Sequence, residues 1–208
     1  MSPSKGHLAS DNPNMNSTQE YYQRNADQFF QDTVNVDLHH LYTQFLEHLP
    51  LASRILDAGC GSGRDAKAFL DRGFQVSAFD ASPALAELAS KHLGKPVQVR
   101  TFAEVVESEA YEGIWACASL LHVPAAEMPF VLAKLWAALK PGGIFYCSFK
   151  LGVGVREQNG RRFTDANEAQ MDHWLESLEG VREKQFWRTP DARPERSEEW
   201  LNCLLFHQ

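Results

Sequence analysis

The 208-residue chain lacks most features that would tie it to a membrane, a metal or a nucleic acid. No apolar stretch approaches the ~20 residues of a membrane span. The opening residues Met1-Ser2-Pro3-Ser4-Lys5 hold no apolar core of the kind an export signal needs. There is no long lysine or arginine run, and 20 basic against 27 acidic residues leave a net charge of −7. That balance argues against nucleic acid or an anionic membrane surface as partner. Cysteine is scarce: Cys60, Cys117, Cys147 and Cys203, with no Cys-x-x-Cys. Such widely spaced thiols read as reduced, buried residues of a cytoplasmic protein, and no metal site is expected.

What is present is ordinary for a globular chain, 44 % hydrophobic and 23 % charged, and the length suits one α/β domain. Residues 1–18 are polar and are expected to form a loose, flexible tail. Helical periodicity starts near Thr18 or Gln19 and runs to about Asp32, with Tyr22, Ala26, Phe29, Phe30 and Thr33 on one face. A second helix is predicted over 37–48, closed by Pro50. Strands are then expected near 54–58, 74–80, 97–101, 112–118 and 143–150, alternating with helices near 64–72, 83–93 and 125–139. Ser82-Pro83 is a helix start and Lys140-Pro141-Gly142-Gly143 a helix stop. A helix near 166–178 and strands near 181–188 and 199–207 complete the pattern.

The most informative run is Ile55-Leu56-Asp57-Ala58-Gly59-Cys60-Gly61-Ser62-Gly63. It reads as a buried strand, a tight glycine turn, and a helix opening at about Arg64. Glycines there let the backbone approach a ligand and take positive φ, and the helix start welcomes an anionic group. Gly73 to Asp80 then gives a second apolar strand ending in a carboxylate. An acid about 20 residues past the first glycine is where a doubly wound sheet binds a ribose.

Asp-x-Gly-x-Gly-x-Gly resembles motif I of the class I S-adenosylmethionine-dependent methyltransferases. A dinucleotide fingerprint would be Gly-x-Gly-x-x-Gly, with a third glycine where Arg64 stands. Lys140-Pro141-Gly142-Gly143 is similar to a second signature of that family. The resemblance covers about residues 20–208. It implies a Rossmann-like fold with a seven-stranded sheet in the order 3-2-1-4-5-7-6, strand 7 antiparallel, and helices on both faces. It implies one methyltransferase domain over 19–208: a helical lid at 19–50, a cofactor-binding core at 51–150, and a substrate-side loop with the C-terminal strands at 151–208. The cofactor implied is S-adenosylmethionine, with S-adenosylhomocysteine as product. Within the family, Gly63-Arg64 and the compact lead into strand 2 resemble the small tellurite-resistance (TehB-like) enzymes, and ubiquinone-type O-methyltransferases share much of this. A nicotinamide oxidoreductase and a cofactor-binding regulatory protein without turnover are the rival classes.

Carried onto this sequence, Asp80 would accept the ribose hydroxyls, with Ala81 beside it. Asp57 would meet the methionine ammonium, or tie down the turn. Gly59, Cys60 and Gly61 would line the methionine end. Phe102 and Ala103 occupy the adenine edge, where the family often has an acid, with Glu104 as a substitute. Ser119 and Leu120 would face the sulfonium and ribose. His122 would orient or deprotonate a substrate, or bond a loop carbonyl. Tyr21 and Tyr22 would fold over the cofactor, or simply pack. Lys150, Arg156, Arg161 and Arg162 stand against Glu157 alone in a glycine-rich stretch, which is either a solvated loop or a mobile lid holding an anionic small-molecule substrate. The oligomeric state is not legible.

Overall fold

The computed structural model describes residues 17–193 and 195–208. The tail expected over 1–18 falls outside them, save its last two residues, which open the first helix instead. Helix α1 (Ser17–Arg24) and α2 (Ala26–Thr33) replace the single helix expected here. The break is local: the Asn25 side-chain amide donates to the Tyr21 carbonyl at 2.8 Å, the same oxygen its backbone N–H uses. Helix α3 (His39–Leu46) follows, with Leu38, Leu41, Phe45 and Leu49 all buried.

Strands β1 (Arg54–Ala58), β2 (Gln75–Asp80), β3 (Gln98–Val99), β4 (Tyr111–Ala116) and β5 (Leu139–Lys150) are parallel, linked by helices α4 (Arg64–Asp71), α5 (Pro83–Leu93) and α6 (Met128–Ala138). Helix α5 starts as the sequence predicts: Ser82 Oγ accepts the Leu85 N–H, and Pro83 fills the first turn, where its missing N–H costs nothing. A hairpin of β6 (Val155–Gln158) and β7 (Arg161–Thr164) forms its own two-stranded sheet. Helix α7 (Glu168–Leu175) leads to β8 (Val181–Pro190) and β9 (Glu199–His207). The main sheet runs β3-β2-β1-β4-β5-β9-β8, with β9 antiparallel to β5, so the expected seven-strand order is observed. The segment expected as a loop after the fifth strand is the hairpin. Its turn, Asn159 and Gly160, takes φ of 53° and 74°, the left-handed pair that a two-residue hairpin connection requires.

Side-chain alternation along the central strands feeds two cores, one on each face. Leu56, Ile114 and Phe145 enter one; Ile55, Trp115 and Tyr146 enter the other. The second core centres on Trp115, fully buried and stacked on Tyr146 at 3.9 Å, with Phe45 and Phe69 against its other edges. Its Nε1–H donates to Asp65 at 2.8 Å, so this ring ties the sheet to the start of α4. Trp115→Ala should cost about 3–5 kcal/mol through the cavity and the lost indole bond. Urea unfolding followed by circular dichroism measures it; a cost below about 1 kcal/mol would contradict this role.

Candidate functional site

The glycine turn sits between β1 and α4, with Gly59, Gly61 and Gly63 at φ of 76°, 54° and 75°. The Phe79 carbonyl accepts both the Gly59 and the Cys60 N–H at 2.9 Å. A Cβ on Gly59 would lie 2.7 Å from the Ser119 Cβ, so β4's exit packs where only hydrogen fits. Asp80, at the end of β2, accepts the Gly61 N–H through Oδ2 and the Ser82 N–H through Oδ1, each at 2.9 Å. Burial pushes its carboxyl up, while the backbone N–H groups of Ser82, Gly61 and Ala81 pull it down.

A cleft in two lobes opens over this turn. A smaller lobe, about 290 Å3, and a larger one, about 350 Å3, meet at a neck formed by Tyr22, Phe29, Gly59, Gly61, Ala118 and His122. Asp80, Ala81, Phe102, Ala103 and Ser119 line the smaller lobe, as does Arg100, which the sequence reading missed. Cys60 lines the larger lobe, its thiol driven well above its ordinary pKa by burial and by Asp57.

Four expected contacts lie elsewhere. Asp57 is on neither wall; it is buried, and its Oδ2 accepts the Ala66 N–H at 3.0 Å, which anchors the start of α4. Desolvation and then the neighbouring Asp65 raise its carboxyl well above the usual range. Leu120 is fully buried in the core, because the chain turns into a 3-10 helix at Leu120–His122. Tyr21 touches neither lobe, and Tyr22 takes the cleft position one residue on. Glu104 turns back on Thr101, accepting its N–H at 2.7 Å and its hydroxyl at 2.9 Å, and lines neither lobe.

At the neck, His122 Nδ1 is 2.7 Å from the Arg162 carbonyl oxygen, and its Nε2 is 2.8 Å from the Tyr22 hydroxyl. A carbonyl only accepts, so Nδ1 carries the proton and the Tyr22 O–H donates to Nε2. Desolvation lowers His122 to about 4, outweighing the Arg162 carbonyl, with nearby Arg161 and Lys150 adding to the shift. The ring is therefore neutral at pH 7. Among the basic residues from the end of β5 onward, Lys150 is buried and pairs with Glu198, and Arg156 donates to Asp165 at 2.7 Å. Arg156 and Arg162 line neither lobe, whereas Lys150 and Arg161 line the larger. Arg161 lies over Tyr21 at 4.3 Å and Phe163 at 5.1 Å.

Residues 22–192 match the methyltransferase domain family. The chain belongs to that family. A ubiquinone biosynthesis O-methyltransferase of Methylobacterium nodulans is 34 % identical over 107 residues, 48 % of this chain and 42 % of that protein. A malonyl-[acyl-carrier protein] O-methyltransferase of Serratia marcescens is 28 % identical over 122 residues, 54 % and 47 % of the two chains. The chain thus spans less than half the length of these curated relatives. The crystal structure of the Burkholderia thailandensis 1,6-didemethyltoxoflavin-N1-methyltransferase, with 1,6-didemethyltoxoflavin and S-adenosylhomocysteine bound, matches with a TM-score of 0.78 at 20 % identity. The match covers 99 % of this chain and 94 % of that one. The fold is that of class I S-adenosylmethionine-dependent methyltransferases. The smaller lobe of this methyltransferase domain offers the Asp80 carboxylate and borders Arg100, whose buried Nε–H has no partner among the described residues. No helix among the described residues is long and apolar enough to cross a membrane, and no group among them is arranged to hold a metal ion.

The neutral His122 has a consequence for pH. From about pH 6.5 down to about 4, the unfolded chain binds a proton that the folded ring refuses. Stability contributed above pH 6.5 is therefore lost as pH falls through that window, by up to about 1.4 kcal/mol per unit. His122→Gln should flatten the slope of unfolding free energy between pH 7 and 5. Equal slopes for the two proteins would show that the ring is protonated in the fold.

Proposed function

We propose that the protein transfers a methyl group from S-adenosylmethionine to a small organic acceptor held in the larger lobe. The observation that carries this is Asp80 on the wall of one lobe, with a second chamber beside it that shares the Tyr22, Gly59 and His122 wall. Asp80 would take the ribose hydroxyls, Phe102 and Ala103 the adenine edge, and the backbone of Gly59 to Gly61 the methionine portion. When bound, S-adenosylmethionine supplies an electrophilic methyl carbon on a sulfonium. The protein's share is alignment and exclusion of water. Tyr22 and His122 sit at the neck, between the lobes; with its proton on the His122 side and one lone pair towards Arg161, Tyr22 Oη has a second lone pair to receive an acceptor's X–H. Neither ring nitrogen of His122 is open to the cleft, so its role is to orient Tyr22.

The second lobe favours an enzyme over a cofactor-binding regulator, which would need no acceptor chamber. Its size and its Leu38, Leu41 and Trp200 walls support an organic body rather than a bare tellurium or selenium oxyanion. The O-methyltransferases of ubiquinone biosynthesis among its relatives lend weight to the same choice. Four free cysteines support the reducing cytoplasm as its compartment.

Isothermal titration tests the cofactor. S-adenosylmethionine and S-adenosylhomocysteine should bind and NAD should not; the reverse would sink the proposal. Asp80→Ala should weaken S-adenosylhomocysteine by about 2 kcal/mol or more, with the helix start retained because Ser82 still accepts the Leu85 N–H. Undiminished affinity in the folded variant would move the ribose site elsewhere.

A further inference from the structure

The larger lobe carries a charge imbalance that the fold does not consume. Five cationic side chains line it against three carboxylates, in a chain whose net charge is −7. Each carboxylate is taken: Asp65 by Arg64, Glu198 by Lys150, and Asp191 by Arg193. That leaves Arg196, which is exposed at the rim, and Arg161, which stands beside the neck.

Arg161 is held for binding rather than for folding. The rings of Tyr21, Tyr22 and Phe163 surround its guanidinium at 4.3, 5.9 and 5.1 Å, and fix its plane. Among the described residues no carboxylate pairs with it, and its Nε is buried without a hydrogen-bond partner. A desolvated donor left unsatisfied costs stability, and a bound acceptor atom would recover that loss. Aromatic faces stabilise the cation without occupying its in-plane N–H groups; the guanidinium also bonds the Tyr22 hydroxyl, and its Nε–H is left over. The side-on edge of a guanidinium, Nε–H with one Nη–H, matches the two oxygens of a carboxylate. His122 next to it is neutral with both nitrogens engaged, so it neither adds a charge nor offers a free donor or acceptor there.

We propose that Arg161 is the specificity residue for the acceptor, and that the acceptor is a planar organic carboxylate bound through the side-on fork of this guanidinium. The proposal rests on the larger lobe being the acceptor chamber. Of the four basic residues from Lys150 to Arg162, one alone then reads the acceptor's charge: Arg156 and Lys150 are committed to Asp165 and Glu198, and Arg162 lies off the wall.

The test is calorimetric titration of the whole protein with two isosteric pairs, 4-hydroxybenzoate against 4-hydroxybenzamide and nicotinate against nicotinamide. Each is run with and without saturating S-adenosylhomocysteine. At least one carboxylate should bind about tenfold or more tightly than its amide. Arg161→Met, which keeps the aliphatic stem among the rings, should bring that pair together, and Arg156→Met should leave the difference in place. Arg161→Lys retains charge without the fork, so it should recover only part of the preference and serves if the methionine variant does not fold. Equal binding of acid and amide in both pairs, or a preference that survives Arg161→Met, overturns the proposal. Loss of S-adenosylhomocysteine binding by the wild-type protein would instead defeat the cofactor reading, because the carboxylate preference is measured without it as well.

Discussion

One backbone carbonyl, that of Phe79, fixes the geometry on which the cleft is built. It accepts two N–H groups from the turn after β1, while the next residue, Asp80, accepts a third from Gly61. The turn is thereby hung from the end of the neighbouring strand. It can sit so low only because Gly59 has no Cβ to strike Ser119, at the exit of β4. Three strand ends thus converge on a few ångströms of backbone; the two bonds to the Phe79 carbonyl survive any side-chain substitution on the cleft wall, and only the third depends on the Asp80 carboxylate. The same arrangement leaves Asp80 half-buried, which raises its carboxyl, and gives it the backbone donors that pull it back.

Buried carboxylates nearby divide their tasks by environment. Asp65 accepts from Arg64, Tyr42 and Trp115, and those partners hold it below the usual range despite burial. Asp57 has one backbone donor and two acidic neighbours, so it moves the other way. A carboxylate held ionised by an arginine and two rings is a structural anchor for α4 and the sheet. Asp80, with only backbone donors, remains the one of the three facing the smaller lobe.

The core of the fold was legible because its signals are local. Glycines after one apolar strand, an acid after the next, and Ser82-Pro83 each dictate a backbone event within a few residues. The cleft was less legible because it depends on phase. Periodicity placed Tyr22 on the apolar face and it is Tyr22 that lines the cleft, whereas Tyr21, expected from the lid resemblance, lines neither lobe. Leu120 was misplaced because the chain enters a 3-10 turn directly after β4 instead of extending its strand. The hairpin hid behind charge: its alternating basic residues look like a solvated loop, although Asn159-Gly160 was a usable turn signal. Arg100 carried no signal, since its pairing with Glu107 and its place over Phe79 are tertiary facts.

Helix α1 has a further consequence, for the order of assembly. It comes early in the chain, yet its partners are distant in sequence. Gln23 accepts the Ala84 N–H, Tyr22 donates to His122, and Thr18 accepts the Arg162 N–H from 144 residues away. During synthesis from the N-terminus none of these partners exists when the helix leaves the ribosome. An eight-residue helix is marginal in water by itself, so it stays unsettled until the hairpin has been made and has packed. The cleft therefore acquires its neck after the parallel strands β1 to β5 beneath it have been made, and a nascent chain stopped before β7 would hold the turn and Asp80 without a roof.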